Sequence, residues 1–475
     1  MPAIRHENLP PTSIGFLPVL GANLFPLFGV LWLGWDPETL VTIYGCELLL
    51  MFPLAGVKAL FAGREPVSDR ESGVISVSSS DLVDKQGSVR IHDRTPPIYP
   101  RNVPFGFAVV GAAVWVGLFV GLVLSEVVAV GDALRRPEVL GSVVALGLGQ
   151  VGEVGYSYFS KGRFRDVSPY ALVEVPARQG FFLAFVLVAI PTTGAAATTL
   201  ALVGFVLAKV LFEWSGFRAK RGDGGRITGW LSGPDTDTTP EPLAVPDGHP
   251  STTIDVDQRA VVATAVWRAV TTTGPFYASL CVFVWLGTVV ILADGSSSTG
   301  LWTGAGLFAL VTFGLLLCGD VLTHVLANGW MTYERRGGLL VASDRLTDTP
   351  QWSASVTALR DATLVKTRFP DRYFGTRTVA VKTGWGENNA ARTLGPVDDP
   401  ETLIEAFELP INSTELTPLD RWSAGAAAVS AGLLVVTIGV AFFFPFGAPG
   451  DGLYLLFLLP FLVLVPKGFW KLAHR

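Results

Sequence analysis

The 475-residue chain is half hydrophobic and only 16% charged, with a formal net charge of −5. Ordinary soluble domains are about 25% charged, so this composition excludes a soluble core as the whole of the protein. Its three cysteines lie in apolar stretches without paired spacing, which indicates neither a disulfide scaffold nor a thiolate metal site.

Long apolar stretches recur along the whole sequence. Crossing the hydrocarbon of a bilayer takes about 20 such residues, and each stretch is tested against that length. The candidate spans are Ile14 to Gly34, Glu38 to Ala62, Phe105 to Val130, Val139 to Phe159, Ala171 to Ile190, Ala195 to Trp214, Thr273 to Ala293, Leu301 to Leu322, Trp422 to Phe444 and Leu453 to Phe469. The pattern predicts an all-α polytopic membrane protein of about ten transmembrane helices. If the fifth and sixth spans form one helix, every later segment lies on the opposite side of the membrane.

Basic residues fall almost wholly in alternate loops between these spans. They are concentrated after the second, fourth and sixth spans, and the loops at 191–194, 294–300 and 445–452 contain none. Because short loops rich in Lys and Arg stay on the cytoplasmic side, both termini are predicted to be cytoplasmic. Only Arg135 and Arg136 lie on the opposite side in this arrangement, which indicates a multi-pass protein of the cytoplasmic membrane.

The polar segments divide the chain. Residues 222–258, rich in Gly, Asp, Thr and Pro, have no apolar period and are typical of a flexible linker. Residues 328–411 are predicted to form a small folded cytoplasmic domain, and Arg259 to Ala269 a short interfacial helix. The predicted organisation is a six-span domain at 1–221 with a cytoplasmic loop at 63–104, the linker at 222–258, two spans within 259–327, the folded domain at 328–411 and two spans within 412–475.

Four polar residues inside the first six spans are the strongest chemical signal in the sequence. Glu47, Gln150, Glu153 and Lys209 all lie in apolar surroundings. A charge at the centre of a membrane costs about 2.5 to 3.5 kcal/mol, so it needs a partner or water. One interpretation is a polar site or proton path. The other is that the carboxylates hold helices together while residues near the helix ends reach the interface.

The first half carries a family resemblance. The run PPIYPRNVP at 96–104, Glu47-Leu48-Leu49 and Lys209 are similar to an uncharacterised family of prokaryotic multi-pass membrane proteins over roughly residues 10–220. The abundance of Asp, Thr, Gly and Pro in the polar segments resembles the proteins of halophilic archaea. The resemblance to the membrane protein family implies a multi-pass architecture, and it implies no assigned activity.

The polar domain carries a second resemblance. RYFGTRTVAV at 372–381 and VDDPETL at 397–403 are similar to bacterial PH-like domains, which implies a small β-barrel closed by one helix. The residues agree: Leu339 to Ala342, Ala362 to Thr367 and Thr378 to Thr383 have strand character. Asp399 is a good N-cap for a helix that starts at Pro400.

Basic side chains follow the predicted strands of this domain. They are Arg360, Lys366, Arg368, Arg372, Arg377 and Lys382. Such a set suits contact with anionic lipid headgroups or a protein partner, and the alternative is a solvated basic face. Fold alone does not carry over lipid binding.

Catalytic motifs are missing from the sequence. It contains no HExxH, no Walker loop, no G-x-S-x-G and no nucleophile with a paired His, so no enzymatic activity, cofactor or metal is expected. We expect no nucleic-acid partner, and the oligomeric state is not specified by the sequence. The expected role is a membrane scaffold or sensor acting through the PH-like domain. The alternative is an ion- or proton-coupled transporter of small solutes that uses the intramembrane Glu, Gln and Lys.

Overall fold

The computed structural model is mostly helical, with two small antiparallel sheets. It describes residues 17–66, 82–93, 95–127, 130–189, 203–204, 206–211, 213–215, 218, 243, 245–246, 248–292, 299–383, 390–416, 418–443 and 459–474. The chain divides into two compact units: unit 1 is Met1–Ser78 with Phe105–Thr239, and unit 2 is Ser79–Pro104 with Pro240–Arg475. The C-terminal part of the predicted cytoplasmic loop thus belongs to unit 2.

Unit 1 is helical. Its helices are α1 (Leu17–Trp32), α2 (Pro37–Leu60), α3 (Val103–Val127), the single turn α4 (Val130–Ala133), α5 (Pro137–Glu153, continued by a π-helix at Val154–Ser160) and α6 (Pro169–Ala189). Residues 203–204, 206–211 and 213–215 are helical as well. α2 packs against α1, α5 and α6, which makes it the central helix.

Local sequence explains where α2 starts and how closely it packs. Pro37 opens the helix, Glu38 lies in its first turn and Lys58 in its last, which complements the helix dipole at both ends. On α6, a Cβ added at Gly180 would lie 3.2 Å from the Phe52 ring. The missing side chain therefore lets α6 approach α2 closely.

Unit 2 contains both helices and sheets. The helices are α7 (Gln258–Arg268), α8 (Gly274–Leu292), α9 (Thr299–Asn328), α10 (Phe369–Phe374), α11 (Pro400–Ala406), α12 (Arg421–Phe443), α13 (Leu459–Leu462) and α14 (Leu464–Leu472). A π-helical turn at Ala269–Thr273 joins α7 to α8.

Helices cover most of the described part of each predicted span. By length and composition, three helical stretches in the described chain are able to cross a membrane: Glu38–Leu60, Pro137–Ser160 and Gly304–Asn328. The total of ten spans stays a prediction. Half of the predicted sixth span, part of the tenth and most of the linker lie outside the described residues.

In the part of the chain that the structure describes, seven strands form two sheets. The first has the order β1 (Thr252–Asp255), β2 (Met331–Arg336), β3 (Leu339–Asp344), β4 (Thr349–Ser355), and the second β5 (Leu359–Leu364), β6 (Arg377–Thr383), β7 (Ala390–Val397), all antiparallel. We call residues 252–268 and 331–411 the sheet module. The strand β1 lies inside the segment that the sequence predicts as linker, and Ile254 is its one buried side chain.

The predicted closed barrel is wrong for the described strands. A 3-10 turn at Val356–Ala358 carries the chain from β4 directly into β5, so the two strands turn a corner between sheets and are not joined in one ladder. The sheets instead share a single apolar core that includes Tyr333, Leu340 and Leu394, together with Val261 of α7. As predicted, the Asp399 side chain caps α11 by accepting from the Thr402 amide. Leu403 and Phe407 are fully buried.

Candidate functional site

A buried polar cluster lies in unit 1, and three helical stretches contribute to it. Tyr44 and Glu47 are three residues apart on α2, so they lie on one face of that helix. Lys209 and Glu213 are four apart in the helical residues 206–211 and 213–215, and Asn23 comes from α1.

Lys209 lies at the centre of this cluster. Its Nζ is 2.9 Å from Glu47 Oε1 and 2.8 Å from Glu213 Oε1, and it also donates to Asn23 Oδ1. The same nitrogen lies 5.3 Å from the centre of the Tyr44 ring, and the Tyr44 hydroxyl donates to the Asn23 carbonyl. One ammonium thus interacts with two carboxylates, an amide oxygen and the face of an aromatic ring.

Burial makes these charges depend on one another. The side chains of Lys209 and Glu47 are each 5% exposed, and that of Glu213 is 17% exposed. With all three groups ionised the cluster carries one net negative charge, and removing a single partner would leave a charge uncompensated in a medium of low polarity. The arrangement suits helix locking, and it also suits a site that accepts a proton or a small cation.

The structure brings together some of the four residues predicted from the sequence. Glu47 and Lys209 form the ion pair, and Gln150 of α5 lies near Glu47. Glu153 lies apart from them, 3.6 Å from Lys58 Nζ and 4.0 Å from Arg163 Nη1, with its side chain 40% exposed. Asn23 and Tyr44 were missed by the sequence analysis, although a polar Asn within an apolar span is the kind of signal that could have found the first.

The six basic residues of the sheet module are partly engaged within it. Arg377 donates to the carbonyl oxygens of Gly375, Thr376 and Thr414, and Lys382 pairs with Asp361 at 2.8 Å. Burial lowers the pKa of Arg368, whose guanidinium donates to Thr378 Oγ1.

The other three are split between surface and interior. Lys366 is exposed, whereas Arg360 and Arg372 are half-buried. Burial, with the nearby charge of Arg377, lowers the pKa of Arg372. The surface that remains for anionic headgroups is therefore smaller than the sequence pattern suggests.

A second polar site lies in unit 2 and was not predicted. Residues 82–87, which we call the strap, dock on the sheet module beside the end of α9. Lys85, only 3% exposed, forms an ion pair with the fully buried Asp344 of β3 and donates to the carbonyl oxygens of Leu326 and Ala327. The ammonium thus caps the C-terminal turn of α9, where the helix dipole favours a cation. Burial lowers the pKa of Lys85, and the charge of Asp344 opposes that shift.

Backbone contacts fix the neighbouring residues of the strap. The Gln86 amide donates to Gln351 Oε1 at 2.8 Å, and its carbonyl accepts from Thr349 Oγ1 and Gln351 Nε2, both at 3.1 Å. Gly87 has φ +88°, and a Cβ there would lie 2.5 Å from Thr349 Oγ1. Only glycine fits this position without rearrangement.

Comparison with known proteins adds a family for one part of the chain. No curated protein and no solved structure matches the chain. The likeness of residues 328–411 to PH-like domains and the haloarchaeal character therefore stay predictions. Residues 6–225, which include every helix that the structure describes in unit 1, match the model described as a family of unknown function (DUF6498).

Proposed function

We propose that this chain is a multi-pass protein of the cytoplasmic membrane that acts as a scaffold or sensor through its cytoplasmic sheet module. The observation that carries the proposal is the buried Lys85. The strap lies between α2 and α3 in the sequence, and its ion pair and backbone contacts attach it to a folded polar module. Binding of a lipid or protein partner to the module would change how firmly the strap is attached, as a sensor requires.

The sheet module also offers an exposed surface for a partner. Tyr373 and Phe374 of α10 are 73% and 39% exposed, and Lys366 lies nearby in sequence with its side chain exposed. Aromatic and basic side chains together suit either an anionic lipid surface or a protein contact. This role needs no catalytic group, cofactor or metal.

The test uses the full chain in intact cells. A photo-crosslinking residue at Tyr373 should yield a discrete protein or lipid adduct, and the same residue at exposed Arg135 of unit 1 serves as the control. If position 373 gives no adduct above the level at position 135, the scaffold or sensor role is rejected. A tag inserted beside Gly386 that could be labelled from outside the cell would reject the cytoplasmic location.

The second candidate is an ion- or proton-coupled transporter of small solutes. It is favoured by the net negative charge of the Glu47, Lys209 and Glu213 cluster and by Glu47 Oε2, which accepts no hydrogen bond from the part of the chain that the structure describes. Carboxylates of this kind within a bundle commonly mark ion or proton pathways.

Vesicles with the reconstituted protein distinguish the two roles. Glu47→Gln should abolish a proton- or ion-coupled flux, whereas Glu153→Gln should leave it unchanged because Glu153 lies outside the cluster. Equal behaviour of wild type and Glu47→Gln would count against transport.

A further inference from the structure

An apolar groove in unit 2 runs along α8, α9, α12 and α14. It has a volume of about 1230 Å³, whereas small-molecule pockets run from about 300 to 1,000 Å³. Four alanines of α12, at positions 424, 427, 428 and 431, lie on its wall at helical spacing and leave room between the helices. At its far end Trp285 of α8 lies beside Gly306 of α9, where an added Cβ would come 3.5 Å from the indole Nε1.

The length of the groove matches one leaflet of a membrane. Along α8 the lining runs from Gly274 to Trp285, which is about 16 Å at about 1.5 Å per residue. Along α12 it runs over the same distance from Ala424 to Val435. The hydrocarbon core of a bilayer is about 30 Å thick, so the groove has the depth of a single lipid chain.

Aromatic rings gather at the end of the groove that adjoins the sheet module. The Trp267 ring centroid lies 5.4 Å from that of Phe369 and 5.9 Å from that of Trp470, and Trp470 Nε1 donates to the Thr367 carbonyl at 2.8 Å. Trp at the level of the headgroups is typical of membrane proteins. This end is therefore the one that would lie at the membrane surface.

Positive charge at the same end of the groove favours an anionic ligand. Lys467 and Lys471 are four residues apart on α14, share a helix face and line the groove. The described lining contains no Asp or Glu, and neither lysine is paired with a carboxylate in the part of the chain that the structure describes. Two cations at the mouth of an apolar groove complement an anionic phosphate carried on a hydrocarbon chain.

We propose that this groove binds one anionic phospholipid, with an acyl chain against α8 and α12 and the phosphate between Lys467 and Lys471. The orientation toward the cytoplasmic leaflet rests on the proposed function, but the binding itself does not depend on which side of the membrane the sheet module occupies. The site is distinct from the basic residues of the strands.

Native mass spectrometry of the purified full chain tests this. The detergent would contain phosphatidylglycerol and phosphatidylcholine with identical acyl chains. The wild type should retain one phosphatidylglycerol in preference to phosphatidylcholine. The double variant Lys467→Gln/Lys471→Gln should lose this preference about 30-fold, which corresponds to about 1 kcal/mol for each lysine.

The matched control is Lys366→Gln/Lys382→Gln, which removes the same charge from exposed lysines of the sheet module and should leave retention unchanged. An equal loss in both double variants would overturn the groove assignment and favour a headgroup contact at the strands. Equal retention of the two lipids by the wild type would also overturn it.

A second pair of variants tests the hydrocarbon part. Ala428→Phe fills the groove and should abolish retention of the lipid. Val429→Phe adds the same bulk to the same helix at a residue that is 63% exposed and does not line the groove, so retention should persist. Undiminished retention by Ala428→Phe would contradict the proposal, and the charge variants decide the case if Ala428→Phe fails to fold.

Discussion

The ammonium of Lys85 forms an ion pair with the buried carboxylate of Asp344, so a residue between α2 and α3 in the sequence is held in the sheet module. Asp344 also accepts from the amides of Leu346 and Thr347, at 2.6 and 3.2 Å. The carboxylate is thereby positioned by its own loop before it meets the lysine. This relationship suggests that release of the strap and loosening of the module are one event.

The first prediction concerns the accessibility of the strap. Asp344→Asn should leave the Lys85 ammonium buried without its counter-ion, a change that costs about 3 to 5 kcal/mol. The strap should then undock, and trypsin should cleave after Lys85 at least about 100-fold faster, since cleavage follows the population of the open form. The control is Asp361→Asn, because Asp361 pairs with Lys382 at the surface. Equal cleavage in both variants would contradict a strap held by this ion pair.

The second prediction uses the backbone of the strap. Gly87→Ala should also expose the strap to trypsin, because the new methyl would collide with Thr349 and the φ of +88° disfavours any side chain. Gly337→Ala is the matched control: it has φ +59° but no atom within 4 Å of the added Cβ. Gly337→Ala should cost about 1 kcal/mol of stability without freeing the strap. A Gly87→Ala protein with a protected strap would show that the contact is dispensable.

The third prediction concerns the cluster in unit 1. Lys209→Met should lower the stability of the purified protein in detergent by about 3 to 5 kcal/mol, because two carboxylates lose their shared cation. Adding Glu47→Gln and Glu213→Gln to that variant should recover most of the loss, since the uncompensated charges are gone. Thermal unfolding followed by intrinsic fluorescence measures both changes.

The control for this series is Lys58→Met. Its side chain is 22% exposed and lies 3.6 Å from a partly exposed Glu153, so its removal should cost at most about 1 kcal/mol. If Lys209→Met were no more harmful than Lys58→Met, the cluster would not hold the bundle together.

The fourth prediction is a pH dependence of the sheet module. Burial raises the pKa of Tyr333 from 10.0 to about 12, and the Tyr333 hydroxyl accepts from the Gly395 amide at 3.1 Å. The folded state therefore keeps its proton to higher pH than the unfolded chain does. The corresponding stability is fully present below pH 10 and is lost as the pH rises toward 12, by about 1.4 kcal/mol per pH unit.

Unfolding of the full chain between about pH 9 and pH 12 measures this linkage. Tyr333→Phe should be about 1 kcal/mol less stable at neutral pH, because the Gly395 amide loses its acceptor, and should lose part of the alkaline sensitivity. Tyr373→Phe, at a side chain that is 73% exposed, should behave as the wild type does. An identical alkaline profile for Tyr333→Phe and wild type would remove Tyr333 from the explanation.

Some of the site could be read from the sequence because the signals are local. Lys209 and Glu213 share a helix face through their spacing, and Asp399 precedes the helix that it caps. For Glu47, the sequence indicated only that a charged residue within a span needs a partner. It did not identify Lys209 as that partner. The separation of Glu153 from Glu47 depends on how α5 turns against α2, which the sequence of either helix alone does not define.

The sequence by itself determined the apolar helices and three of the seven described strands, β3, β5 and β6, since chain length, periodicity and caps act within a few residues. The tertiary structure decided three other features: the pairing of β1 with β2, the docking of the strap at Asp344 and the separation of the two sheets. Each of these features depends on how residues that are far apart in the chain are arranged in space. The strand β1 buries only Ile254, which is too weak a local pattern to distinguish an edge strand from a linker, and its hydrogen bonds form only when β2 lies beside it.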